Sequence, residues 1–129
     1  ASALACELRD SGAGGLALRL VSSDLRDRLA TADLIVNATS VGMRGGPSEG
    51  RSPLEEDTIS PNCVVLDMVY TPETTPLLEM AGHAGARTVS GLPMLIYQGA
   101  AAFEHWTGKD APIEVMFAAA RRALADHVV

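Results

Sequence analysis

Along this chain the apolar positions change period several times, and each change marks an element. The opening "ASALACELR" is rich in Ala and Leu and carries Glu7 and Arg9, which predicts a helix over Ala1–Arg9. Ser11–Gly15 then reads as a helix stop and turn. Leu16, Leu18 and Leu20 alternate with Ala17, Arg19 and Val21, the period of a strand. Ser23 or Asp24 can cap a short helix reaching about Ala30, with Leu25 and Leu29 on one face. "DLIVNA" is a short apolar run and predicts a buried strand near Leu34–Asn37. Thr39–Pro61 is loop-rich, with one helical turn expected near Leu54–Asp57. "CVVLDM" predicts another buried strand. Thr75-Pro76 is a helix start, Thr at the cap and Pro at the first helical position, and Gly85 marks the end of that helix. "RTVS" predicts a further short strand, and "GLPMLIYQGAAAFEHW" a long helix that Gly108 stops. Asp110 is the expected cap of the last helix, whose face Ile113, Met116, Phe117, Ala120 and Leu124 is amphipathic. Strands alternating with helices imply an α/β fold: a parallel sheet flanked by helices.

"DSGAGGLALRLV" complicates this picture. Gly12, Gly14 and Ala17 fit the glycine spacing of a dinucleotide-binding loop, and Asp33 follows at the distance of a ribose-binding acid. Such a loop needs a strand before it and a helix after it, so that free helix N–H groups face the pyrophosphate. Here a helix precedes and a strand-like alternation follows. The glycines therefore read as a helix stop, and Asp33 as an exposed residue just before the Leu34 strand.

Composition narrows the function classes. The chain has 129 residues, 47% hydrophobic and 20% charged, the profile of a globular domain with its own core. A net charge of −6 argues against nucleic acid or an anionic membrane as a general partner, and no apolar run is long enough to span a bilayer. Cys6 and Cys63 lack C-x-x-C spacing and read as two buried or half-buried thiols of a reducing, cytoplasmic protein. His83, His105 and His127 do not cluster with acids, so no metal site is assigned. The pattern does not fix an oligomeric state.

Candidate chemistry lies beyond the predicted strand ends, where ligands bind in doubly wound sheets. "VNATSVGM" offers Asn37, Thr39 and Ser40 there, and these read either as a capped turn or as ligand contacts. "LDMVYTPETTPLL" repeats the arrangement with Asp67, Met68 and Tyr70. In "VSGLPMLIYQGAAAFEHWTG", Gly91, Met94 and Gln98 share one helix face. Gln98 reads either as a half-buried, satisfied amide or as a partner for a polyol or carboxylate.

Those three stretches, in that order, resemble the C-terminal part of shikimate dehydrogenases, from about Ala32 to Ala123. The resemblance implies a Rossmann-like NADP-binding domain, of which residues 1–129 are a C-terminal portion. The last helices, about 92–127, are then expected to pack back toward an N-terminal substrate domain. It implies NADP as cofactor and the interconversion of shikimate and 3-dehydroshikimate, on the way to chorismate and the aromatic amino acids. Asn37, Ala38 and Thr39 would line the cofactor side of the cleft. Met68, Gly91 and Met94 would meet the nicotinamide end, and Tyr70 and Gln98 the shikimate. The family's catalytic Lys–Asp pair has no counterpart here, and neither does its strand–glycine–helix phosphate loop. The chain is accordingly expected to be a partial Rossmann-like sheet that alone binds NADP(H) poorly and does not oxidise shikimate. A quinate-active relative, or a non-catalytic remnant or interaction module of the same fold, is the alternative.

Overall fold

The computed structural model describes residues 2–12, 14–18 and 23–126. In chain order the elements are α1 (Ser2–Asp10), α2 (Ser23–Ala30), β1 (Leu34–Asn37), a 3-10 turn (Glu56–Thr58), β2 (Val64–Asp67), α3 (Pro76–His83), β3 (Arg87–Val89), α4 (Gly91–Thr107) and α5 (Ile113–Asp126). The strands form one parallel sheet in the order β1-β2-β3, with α3 as the crossover between β2 and β3. This is the α/β arrangement the alternating pattern implies.

The core lies on one face of the sheet. In the register Ile35 pairs with Val65 and Asn37 with Asp67, so these four point to the same side. There Val65 meets Cys63, from the end of the loop into β2, and Leu77, Leu78 and Ala81 of the inner face of α3. Cys63 is buried as expected, whereas Cys6, on the short helix α1, is exposed. Thr75 caps α3 as expected: its Oγ1 accepts the Leu78 N–H at 3.3 Å, and Pro76 follows it in the first turn.

The opposite face differs from expectation at β1. Leu34 and Val36 are 58% and 47% exposed, so β1 is not the fully buried strand its apolar run predicts. The reason is alternation: Ile35, half-buried, and Asn37, buried, turn to the core face, whereas Leu34 and Val36 turn to the opposite one. Among the described residues β1 pairs only with β2.

Three other expectations meet the structure. Ser11–Gly15 is the predicted stop: the Ser11 N–H returns to the Glu7 carbonyl at 3.0 Å, and Gly12 takes φ 84°, the left-handed conformation of a helix C-terminus. The predicted strand from Leu16 is not formed over residues 14–18, which carry no regular structure and leave Leu16 exposed, and Arg19–Val21 lie outside the described residues. Alternation makes a strand only where a partner accepts its hydrogen bonds, and the sheet ends at β1 among the described residues. Asp110 is not the cap of α5. That helix begins at Ile113, and its first turn closes on the Pro112 carbonyl, which accepts from Met116 N–H at 3.0 Å. The Ala111 N–H is taken by Glu104 Oε1 of α4 at 3.1 Å, which ties the hairpin between the two helices. Across that hairpin Tyr97 and Phe117 meet edge to face, and the Arg121 guanidinium lies over the Phe117 ring.

Candidate functional site

Because all strands run parallel, their carboxyl ends share one edge of the sheet, and the polar stretches that follow them converge there. The convergence is held by buried hydrogen bonds. Asp67 ends β2 with no exposed surface. Its Oδ1 accepts from Asn37 Nδ2 at 2.9 Å and from the Val69 N–H at 3.0 Å. Its Oδ2 accepts from Thr75 Oγ1 at 2.6 Å. Three donors on two oxygens satisfy a carboxylate that the fold has removed from water. Asn37 extends the chain: its Oδ1 accepts from the Thr39 N–H at 3.0 Å and from Thr39 Oγ1 at 2.7 Å. The loop after β1, the loop after β2 and the start of α3 are thus fixed to one another by side chains.

The third strand end closes on the same point. α4 starts directly after β3, and Gly91 sits against the backbone at the end of β2. A Cβ at position 91 would stand 2.5 Å from the Met68 carbonyl oxygen and 2.8 Å from that of Asp67. Only glycine allows this approach.

Ala38, Thr39, Met68 and Tyr70 line one cavity of about 360 Å³, together with Ser40 and Arg44. That volume suits part of a small-molecule ligand. Tyr70, Thr71 and Arg44 also wall a second cavity of about 470 Å³, whose far side is Leu92 and Leu95 of α4 and Ala120 and Leu124 of α5. Asn37 lies beneath the wall of the first cavity, buried, with its amide committed to Asp67 and Thr39. Gly91 touches the backbone of Met68 rather than the cavity itself. Met94 is half-buried and Gln98 exposed on α4, and neither lines these two cavities. Arg44 is the site residue that sequence patterning missed. It lies in a glycine-rich loop, held there by its backbone N–H, which donates to the Thr71 carbonyl at 2.7 Å. Asp67 had a legible signal, a charge closing an apolar strand, but its role as a joint between loops did not follow from it.

Residues 91–121 match the family model of the shikimate 5'-dehydrogenase C-terminal domain. A shikimate dehydrogenase (NADP(+)) of Haloarcula marismortui is 48% identical over 116 residues, 90% of this chain. This chain matches the C-terminal part of shikimate dehydrogenases. It spans 40% of the length of that relative. The fold agrees: the shikimate 5-dehydrogenase of Listeria monocytogenes, solved in complex with shikimate and NAD, is similar with a TM-score of 0.79 and 35% identity over 87% of this chain and 39% of that one. A quinate dehydrogenase of Corynebacterium glutamicum, solved with NAD, is similar with a TM-score of 0.76 and 30% identity over 91% of this chain and 40% of that one. The three-stranded parallel sheet with its helices is therefore the Rossmann-like fold of these dehydrogenases. Among the described residues no helix is long and apolar enough to cross a membrane.

Proposed function

We propose that this chain forms the nicotinamide-facing wall of an NADP-dependent dehydrogenase of the cytoplasm that interconverts shikimate and 3-dehydroshikimate. The observation that carries the reading is the convergence of Ala38, Thr39, Met68 and Tyr70 on one cavity at the carboxyl edge of a parallel sheet. The close seat of Gly91 on the Met68 carbonyl sets the start of α4 directly against the strand end that carries Met68. The wall fits one end of the cofactor, which when bound supplies the hydride. The other end would need a glycine loop between strand and helix, and Gly12 instead terminates α1.

In this reading Ala38, Thr39 and Met68 border the nicotinamide, with Gly91 and Met94 behind them and Asn37 fixing the loop. Tyr70 and Gln98 serve the shikimate. Tyr70, shared by both cavities, presents a hydroxyl beside an apolar wall, which suits a ring carrying hydroxyl groups. The second cavity, between Tyr70 and α5, is where an N-terminal substrate domain would close the cleft. Hydride transfer requires both reactants held a few ångströms apart in a dry site, and this chain supplies one wall. The 129-residue chain alone is therefore expected to give no shikimate-dependent NADPH.

The test uses the product of the natural gene. NADPH formation on adding shikimate and NADP supports the proposal, and its absence refutes it. Gln98→Ala should raise the KM for shikimate more than that for NADP. A change in the NADP value alone would mean that α4 faces the cofactor instead. A quinate-active enzyme is the second reading, favoured by the similarity to the quinate dehydrogenase. A kcat/KM for quinate above that for shikimate would establish it.

A further inference from the structure

The hydrogen-bond chain behind the cavity has a fixed polarity, and that polarity dictates what Thr39 can offer a ligand. The Thr39 N–H can only donate, and it meets Asn37 Oδ1 at 3.0 Å. This settles which end of the Asn37 amide is oxygen. Its nitrogen then points at Asp67 Oδ1, an acceptor, at 2.9 Å, so the two assignments agree. Asp67 is itself held by the Val69 N–H and the Thr75 hydroxyl, and cannot turn away. At the Thr39 hydroxyl the Val41 N–H donates to Oγ1 at 3.2 Å, which uses one lone pair. The hydroxyl hydrogen goes to Asn37 Oδ1 at 2.7 Å. A threonine hydroxyl has one hydrogen and two lone pairs. What remains for the cavity that Thr39 lines is one acceptor position.

We propose that Thr39 meets its ligand as a hydrogen-bond acceptor only, and that the site thereby selects a donor group on the nicotinamide-ribose end of the dinucleotide. Asn37 is the positioning residue, because it holds the hydroxyl hydrogen. Two groups there can donate, the carboxamide N–H and a ribose hydroxyl. The proposal rests on the dinucleotide reading above, so its test measures binding separately from turnover.

The dissociation constant of NADP is measured on the natural gene product for wild type, Thr39→Val and Thr39→Ser. It is measured again with the 3-acetylpyridine analogue of NADP, in which a methyl replaces the carboxamide NH₂. Thr39→Val, equal in size and unable to accept, should weaken NADP about tenfold, the effect of one hydrogen bond. Thr39→Ser should restore binding to within about twofold of wild type. If Thr39→Val weakens NADP but not the analogue, the donor is the carboxamide; equal weakening of both assigns it to a ribose hydroxyl. Asn37→Ala frees the hydroxyl hydrogen and should reduce any preference for NADP over the analogue. Should that variant not fold, the Thr39 pair decides alone. An NADP affinity unmoved by Thr39→Val overturns the proposal, as does an effect confined to the KM for shikimate. NADP binding without shikimate turnover would refute the dehydrogenase reading and leave this one standing; no NADP binding refutes both.

Discussion

The glycines at the end of α1 and the glycine that opens α4 carry opposite lessons. Gly12 and Gly14 fit a named fingerprint, and nothing stands within 4 Å of where a Cβ would lie at either. Gly91 belongs to no fingerprint, and a Cβ there would strike the backbone of Met68 and Asp67. The spacing motif marks a helix end, while the unmarked glycine lets a helix start press against a strand end and shape the candidate site. A glycine is therefore interpreted by what a side chain would meet and by its φ, and spacing alone does neither.

The comparison is sharpened most by removing the joint that Gly91 rests upon. Asp67→Ala strips three buried donors of their acceptor: Asn37 Nδ2, the Val69 N–H and the Thr75 hydroxyl. Breaking such a network should cost about 3–5 kcal/mol, measured as loss of unfolding free energy in denaturant. Asp67→Asn keeps a carbonyl oxygen for the first two donors and turns an N–H toward Thr75 alone. It should cost about 1 kcal/mol. Equal losses for the two variants would mean that the network does not hold the strand ends together.

Next comes Gly91→Ala. The atoms it meets are backbone, which cannot rotate aside, so α4 must move away from β2. Overpacking of this kind should cost about 1–3 kcal/mol. Because the displacement falls beside Met68, the NADP affinity of the natural gene product should fall as well. A variant as stable and as tight-binding as wild type would show that α4 has slack at its start. Gly12→Ala should cost less, about 1 kcal/mol, because only the left-handed φ of 84° opposes it.

Much of this was readable from the pattern. β1, β2, β3 and the two long helices lie close to where the apolar periods put them, because each has either a pairing partner or an apolar face to bury. Thr75-Pro76 was legible as a cap because the cap is local chemistry. The errors share a cause, which is dependence on something distant in sequence. Leu16 and Leu18 alternate, but no described strand pairs with them. Leu34 and Val36 are apolar yet exposed because alternation turns them away from the face that α3 covers. Asp110 resembles a cap, but the hairpin to α4 shifts the start of α5 to Ile113. In the site, Thr39 and Met68 could be named from their place after a strand. That Asn37 is buried, and that Asp67 joins three segments, depend on the register between β1 and β2, which no single stretch contains.

The smallest expected effect is also the cleanest trial of the comparison. Gly14 has no positive φ, and the space around its absent side chain is open. Gly14→Ala should therefore leave the unfolding free energy within about 0.5 kcal/mol of wild type, as at an ordinary surface position. A phosphate loop predicts something else. Its glycines are small so that backbone N–H groups can reach a pyrophosphate, and an added methyl would obstruct the ligand without disturbing the fold. The two views differ in one number, the NADP affinity of Gly14→Ala at unchanged stability. An unchanged affinity leaves Gly12 and Gly14 as the end of α1. A large loss would return the pyrophosphate to them, and would require the segment after Gly14 to turn its N–H groups toward it.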